Sequence, residues 1–287
     1  MNHLKKGSAA LVLLCALVPL CQGFDLNDLD VSKAVSGVSK AVSAARGVSD
    51  KEEIAVGKEV AANLAARYGT LEDPALIKYL NLIGQALVPY CGRTGLSYHF
   101  AVLNTKQINA FAAPGGYIFI TRGILETAKD EGQLAGVIAH EIAHVAHRHI
   151  AKEIRKANVI GAGVDLTEAT SKSGHEAMDQ VTQFSTDLLF KGLSRDDERE
   201  ADLSGTKNLS DAGYQPGALK SFLAILTRKN PDDKSLTVLN KTHPRPEDRI
   251  QSIDAYLNAS GLSRTGVLNA DRFESHTKAF HKAVPQS

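Results

Sequence analysis

The 287 residues carry 33 basic against 32 acidic side chains, a formal net charge of +1, so no overall field attracts a polyanion and nucleic acid is not an expected partner. A chain of this length can bury one sizeable core with at most a small appended subdomain. Its three cysteines cannot supply a disulfide framework, because removal of the N-terminal segment would take Cys15 and Cys21 and leave Cys91 alone.

Lys5 and Lys6 precede an apolar run over residues 9–20, and Gly23 follows Cys21 at the minus-one, minus-three spacing of a cleavage site. Residues 1–23 therefore read as a signal peptide, which places the mature chain outside the cytoplasm. A spanning helix needs about 20 apolar residues and this run offers roughly a dozen. A retained membrane anchor, or lipidation at Cys21 behind the bulky Val18-Pro19-Leu20, is the alternative.

Residues 24–49 are a loose Val-Ser-Lys-Ala-Val repeat to which no chemistry is assigned, a mobile or weakly helical segment. At Ser49 an N-cap with Glu52 three places on opens an amphipathic helix through Ile54, Val56, Val60, Leu64 and Tyr68. The folded domain is expected over residues 50–260. Asp73-Pro74 opens a second helix through Leu76, Leu80, Ile83 and Leu87, stopped by Pro89 and Gly92.

Residues 98–103 and 116–121 are short β-branched and aromatic runs, expected as paired strands of a small sheet. Between them lie Asn109-Ala110-Phe111 and Pro114-Gly115-Gly116. Residues 130–154 form the strongest helical pattern in the chain, with Leu134, Val137, Ile138, Ile142, Val145 and Ile150 on a wide apolar face, and read as one central buried helix. Residues 157–192 turn to Gly, Ser, Thr and Asp and are expected to be a mobile or gating segment. Helical patterning returns over 196–211, 216–228 and 247–258, and the polar tail 261–287 carries no signal.

The chemistry is concentrated in His140-Glu141-Ile142-Ala143-His144. Residues four apart on a helix share a face, so both imidazoles can reach one tetrahedral Zn2+, one ion per chain. Glu141 then lies beside a water whose pKa the metal lowers toward about 7, and can take its proton and pass it to the leaving amine. A catalytic zinc takes a third protein ligand, for which the residues offer His147, His149, His175, Glu198, Glu200 and His243. His147 would make a third ligand on one continuous helix, and His149 faces another side, where hydrogen bonding to neighbours is the simpler reading. Glu198 and Asp202 share a helix face, so one can bind metal while the other receives a ring N–H of a ligating histidine.

His140 to His144, then Ser194-Arg-Asp-Asp-Glu198-Arg-Glu-Ala-Asp202, then Thr242-His243-Pro-Arg-Pro-Glu-Asp-Arg249 resemble the zinc peptidase family that includes BepA, LoiP, HtpX and the CAAX prenyl protease, in that order along the chain. The segment from Asn109 to Gly123 is a fourth match, to a strand and edge bordering the active-site cleft. The resemblance covers about residues 50–256 and is nearest to the short periplasmic LoiP and BepA-like type. It implies an α+β, mainly helical zincin-like metallopeptidase domain with a small β-sheet beside the active-site helix. It makes Glu198 the third zinc ligand and Glu141 the base, and sets Asp202 beside the zinc histidines, where backing a ligand suits it better than proton donation. His243 is implied as a fourth ligand that keeps the site latent or as an oxyanion partner, and Arg249 as an oxyanion or carboxylate partner. Asn109, Ala110, Phe111, Gly115 and Gly116 are the expected substrate-binding stretch, an exposed edge to which an extended peptide adds as a strand. The implied activity is endoproteolysis of unfolded or misassembled envelope proteins, with peripheral association with the outer membrane or its assembly machinery. The rival is a latent chaperone-like binding protein whose zinc site His243 closes; a zinc hydrolase acting on another bond is a third reading.

Overall fold

The computed structural model describes residues 48–157, 172–230 and 232–281. The signal peptide and most of the repeat lie outside these residues, as does the first part of the segment expected to gate. No helix among the described residues is long and apolar enough to cross a membrane.

Helix α1 (Asp50–Tyr68) starts at a complete capping box between Ser49 and Glu52, and α2 (Pro74–Leu87) starts at the Asp73 cap with Pro at its first position. Three strands follow, β1 (His99–Leu103), β2 (Ala110–Ala113) and β3 (Tyr117–Thr121), in the order β1-β3-β2. β3 pairs parallel with β1 and antiparallel with β2, so β2 forms one edge of the sheet. Alternation sends Phe100, Val102, Ala110, Ala112, Ile118 and Ile120 into the larger apolar cluster, with α2 and the later helices. Leu103, Phe111, Ala113 and Phe119 enter a second cluster with α1 and Ile150, Ile154 and Val181. The sheet is thus covered on both faces, which is why its strands read as nearly continuous apolar runs.

After α3 (Arg122–Thr127), the buried helix α4 (Glu131–Ala146) carries both histidines of the motif and is capped by Asp130, whose carboxylate accepts from the Gln133 N–H at 2.8 Å. The single helix expected over 130–154 is two: Arg148 takes the left-handed conformation at φ 59°, and α5 (His149–Lys156) sets off from it. The break is held from outside. Arg148 reaches Glu53 at 2.5 Å and the Val48 carbonyl, while Arg93 joins Glu53 to the Val145 carbonyl at 2.9 Å each.

α6 (Lys172–Lys191) corrects the expectation for residues 157–192, since 172–191 are a continuous helix. Its hydroxyls bond back along the helix, Ser185 to the Val181 carbonyl and Thr186 to that of Thr182. Ala177, Val181, Phe184 and Leu188 make a stripe against the second cluster. α7 (Arg195–Asp211) crosses α4 at Gly205, where a Cβ would stand 3.0 Å from the His140 nitrogen. A Cβ there would press on the α4 backbone, so glycine suits this close crossing of the metal-motif helix.

α8 (Ala218–Leu226), the short α9 (Leu239–Thr242) and α10 (Pro246–Ala259) complete the surround of α4. The tail is not featureless: α11 (Ala270–Thr277) puts Phe273 into the larger cluster. Arg272 and Asn269 bond the buried Glu131 at the start of α4, together with the Tyr214 hydroxyl at 2.7 Å.

Candidate metal centre

One turn apart on α4, His140 and His144 bring their Nε2 atoms to 3.0 Å of each other. From α7, Glu198 approaches with Oε2 3.7 Å from the His140 Nε2 and Oε1 3.5 Å from that of His144. For metal bonds of about 2.0–2.1 Å, tetrahedral ligands lie about 3.3–3.4 Å apart, the range these separations bracket. All three side chains are buried.

The hydrogen bonds behind the two rings decide which nitrogens face inward. Asp202 takes the Nδ1 hydrogen of His140 at 2.9 Å. The Nδ1 of His144 lies 2.8 Å from the Nδ1 of His149, whose Nε2 is 2.9 Å from Glu200 Oε2. A carboxylate only accepts, so His149 carries a hydrogen on Nε2, and the neutral tautomer that does so offers a lone pair at Nδ1. His144 therefore donates from Nδ1, and the Nε2 lone pairs of both histidines point at each other and at the Glu198 carboxylate. A cation bound between them would relieve that repulsion, and His, His and carboxylate are a zinc donor set, so the residues fit the metal.

Electrostatics agree. Burial, with the His140 and His149 rings nearby, holds His144 well below the usual histidine range, in the neutral form that ligates. Burial pushes Glu141 up, against the lowering pull of His140 and His243. Burial works to raise Glu198, but the charge and hydrogen bond of His243 outweigh it and keep the carboxyl well below its ordinary value. The same opposition leaves Asp202 strongly depressed, because Arg249 bonds it through two nitrogens at 2.6 and 3.0 Å in a buried pair. Arg249 is thereby placed as a carboxylate partner behind His140.

His243 follows α9 and brings its Nδ1 to 2.6 Å from Glu198 Oε2. Donors from His140, Glu198 and His243 all lie within 4.8 Å of one another. Glu198 holds His243 above the usual histidine range although burial works to lower it.

Two pockets meet at Glu141 and His243. One is lined by Ala110, Phe111, His144, Leu188, Leu193 and Glu198 among others. The second is lined by Asn109, His140 and Arg249 and by the apolar Val137, Leu219, Phe222 and Leu223. Ala110 lines both. The edge strand borders the site as expected but is not exposed: Ala110–Ala113 are buried, because the end of α6 and the Thr242-His243 segment lie over them. Gly115 and Gly116 line neither pocket. Their Cβ positions are filled by the α1 backbone at Ile54 and by the Ser97 carbonyl, so close packing explains them.

Among the other ligand candidates, His147 turns away to the Ser204 hydroxyl at 2.8 Å and His175 is exposed on α6. His149 and Glu200 are a hydrogen-bonded pair behind His144 that sequence reading missed. The hydrogen-bonding role given to His149 holds, but its partner is the metal-motif histidine itself. The only signal was the excess of histidines after the motif.

Residues 74–257 match peptidase family M48. The chain is 30% identical over 216 residues to the beta-barrel assembly-enhancing protease of Escherichia coli K12, covering 72% of this chain and 44% of that protein. It is 29% identical over 217 residues to the protein of the same name from Yersinia pestis, with the same coverage. It is 30% identical over 190 residues to the mitochondrial metalloendopeptidase OMA1 of Schizosaccharomyces pombe, covering 65% of this chain and 54% of that one. The chain thus spans about half the length of these relatives. With a family match over most of the folded residues, the chain belongs to peptidase family M48.

Proposed function

We propose that this chain is a zinc-dependent endopeptidase that cuts unfolded or misassembled proteins of the cell envelope. The observation that carries the reading is the convergence of the His140 and His144 Nε2 atoms and the Glu198 carboxylate beside Glu141. His140, His144 and Glu198 would hold the metal. Zinc supplies a Lewis acid there, lowering the pKa of water toward about 7.

Glu141, pushed up by burial, takes the proton and returns it to the leaving amine. Asp202 and Arg249 fix the His140 ring from behind, so proton donation falls to Glu141 and not to the depressed Asp202. The substrate backbone lies along Asn109, Ala110 and Phe111. Support for Asn109 comes from its buried carboxamide, whose oxygen and nitrogen both lack a partner beside Glu141. An envelope substrate is suggested by the names of the bacterial relatives. The signal-like N-terminus adds a periplasmic location and peripheral contact with the outer membrane or its assembly machinery.

A second reading, a latent or chaperone-like protein closed by His243, is favoured by the His243 bond to Glu198 and the covered edge strand. One preparation separates the two: zinc content with casein cleavage, side by side with Glu141→Gln. Stoichiometric zinc with cleavage by the unmutated protein alone supports the peptidase. Zinc without cleavage in either favours the closed binder, and absence of zinc removes both.

A further inference from the structure

A second group of donors stands behind the first, reaching the surface between the start of α5 and the first turns of α7. His149 Nε2 lies 2.9 Å from Glu200 Oε2 and 3.6 Å from Asp197 Oδ1, and donors from these three residues fall within 4.8 Å of one another. His147 flanks this group, its Nδ1 3.5 Å from Glu200 Oε1 and its ring stacked on that of His149 at 5.6 Å. His149 is fully buried, whereas Glu200 and His147 are partly open to solvent. Lys152 is the cation that opposes a metal here, with Nζ 3.8 Å from Glu200 Oε2, but it is half exposed and free to swing away.

We propose that His149, Asp197 and Glu200 form a second site for a first-row divalent cation of the zinc or cobalt type, and that its occupancy excludes metal at the His140, His144 and Glu198 centre. One imidazole and two carboxylates are a donor set that suits such ions. The exclusion follows from hydrogen count. A cation at His149 Nε2 needs that lone pair, which moves the ring hydrogen to Nδ1, only 2.8 Å from His144 Nδ1. His144 must then accept there and carry its own hydrogen on Nε2, the atom that faces Glu198. The two rings keep their total of two hydrogens, exchanged with water, so the protein pays no charge for the switch. It loses a ligand at the first centre. The inner centre is buried and preorganised by Asp202, so it fills first. The outer site acts when the cation is in excess, as a brake on the peptidase. The exclusion rests on His144 ligating in the proposed function; the outer site does not.

The test uses metal-stripped full-length protein titrated with Co2+ and followed by its visible spectrum, with casein cleavage measured after zinc titration. Glu198→Gln disables the inner centre and is expected to keep one weaker cobalt, lost on adding Asp197→Asn. The unmutated protein is expected to lose activity beyond the first equivalent of zinc. Asp197→Asn alone should keep full activity at one equivalent and need at least about tenfold more zinc for inhibition, a tenfold change being the loss of one weak ligand. Glu200→Gln checks the same shift without touching the Ser194 cap that Asp197 shares. No cobalt on Glu198→Gln, with a folded circular dichroism spectrum, overturns the outer site. Cobalt bound there with inhibition unchanged by both outer variants overturns the exclusion alone. An inactive parent that still shows the outer spectrum counts against the peptidase reading and not against the site.

Discussion

Replacing Arg249 with Met removes the charge that keeps Asp202 ionised in the interior. Asp202 and Arg249 are both buried and joined by bonds of 2.6 and 3.0 Å, and the His140 N–H is the other partner of that carboxylate. Breaking a buried pair from one side typically costs about 3–5 kcal/mol, because a charge is stranded in a poorly polarisable site. At roughly 2–4 °C per kcal/mol for a domain of this size, the melting temperature should fall by about 6–20 °C. Asp202 is depressed when folded, so its stabilisation is complete above the unfolded carboxylate range and is lost as pH falls through the folded value. Without Arg249 burial carries the folded value upward, so ionised Asp202 costs the variant stability near neutrality and that cost is relieved as pH falls through the raised value. The gap between parent and variant is therefore widest near neutrality and narrows toward pH 4. Adding Asp202→Asn should recover much of the stability while lowering zinc affinity about 10–100-fold, since His140 then leans on a neutral amide. The assay is urea unfolding of metal-stripped protein at pH 7 and pH 5, with zinc affinity read by chelator competition. An Arg249→Met protein within about 1 kcal/mol of the parent at pH 7 would refute the reasoning.

Glu141→Gln should retain stoichiometric zinc and lose at least about a hundredfold in casein cleavage, the scale of a removed general base. His243→Ala removes the donor on Glu198 and the cover of the edge strand; if the closed arrangement holds nine-tenths of molecules, cleavage rises on the order of tenfold at unchanged zinc content. Unchanged zinc and unchanged turnover would leave His243 as a turn residue alone. Arg272→Met strips a charged partner from the buried Glu131 and leaves Tyr214 and Asn269. About 2 kcal/mol of stability should be lost, with the acid transition moved to higher pH because Glu131 is held below its ordinary value by those bonds against the raising effect of burial. Thermal unfolding across pH 4 to 7 measures both.

The metal-motif helix, the strands and the helices bearing Glu198 and Arg249 were legible because each repeats a pattern with one physical cause: apolar residues at helical or alternating spacing, bounded by caps and prolines. Two elements escaped for opposite reasons. In α6, Ser, Thr and Asp suggested a loop, yet their hydroxyls satisfy the helix itself and leave the Val181 and Leu188 stripe to pack. In the tail, composition was polar throughout, and a single Phe273 with two side chains on Glu131 was enough to anchor a helix.

The break at Arg148 is the more instructive failure, because it alters what the site can do. No glycine, asparagine or proline marks it, and the apolar face runs through it from Val145 to Ile150. The left-handed turn is imposed by Glu53, the Val48 carbonyl and Arg93, partners from α1 and the loop after α2 that no local window contains. On a continuous helix His149, five residues beyond His144, would face another side. The turn swings its ring back to 2.8 Å from His144 and hands its other nitrogen to Glu200. The lone pair that His144 offers to a metal is thus fixed by an ion-pair network at the opposite end of the helix junction. Weakening that network, as in Glu53→Gln, should lower zinc affinity without touching any ligand. The parent value in chelator competition would show instead that His144 is oriented by α4 alone.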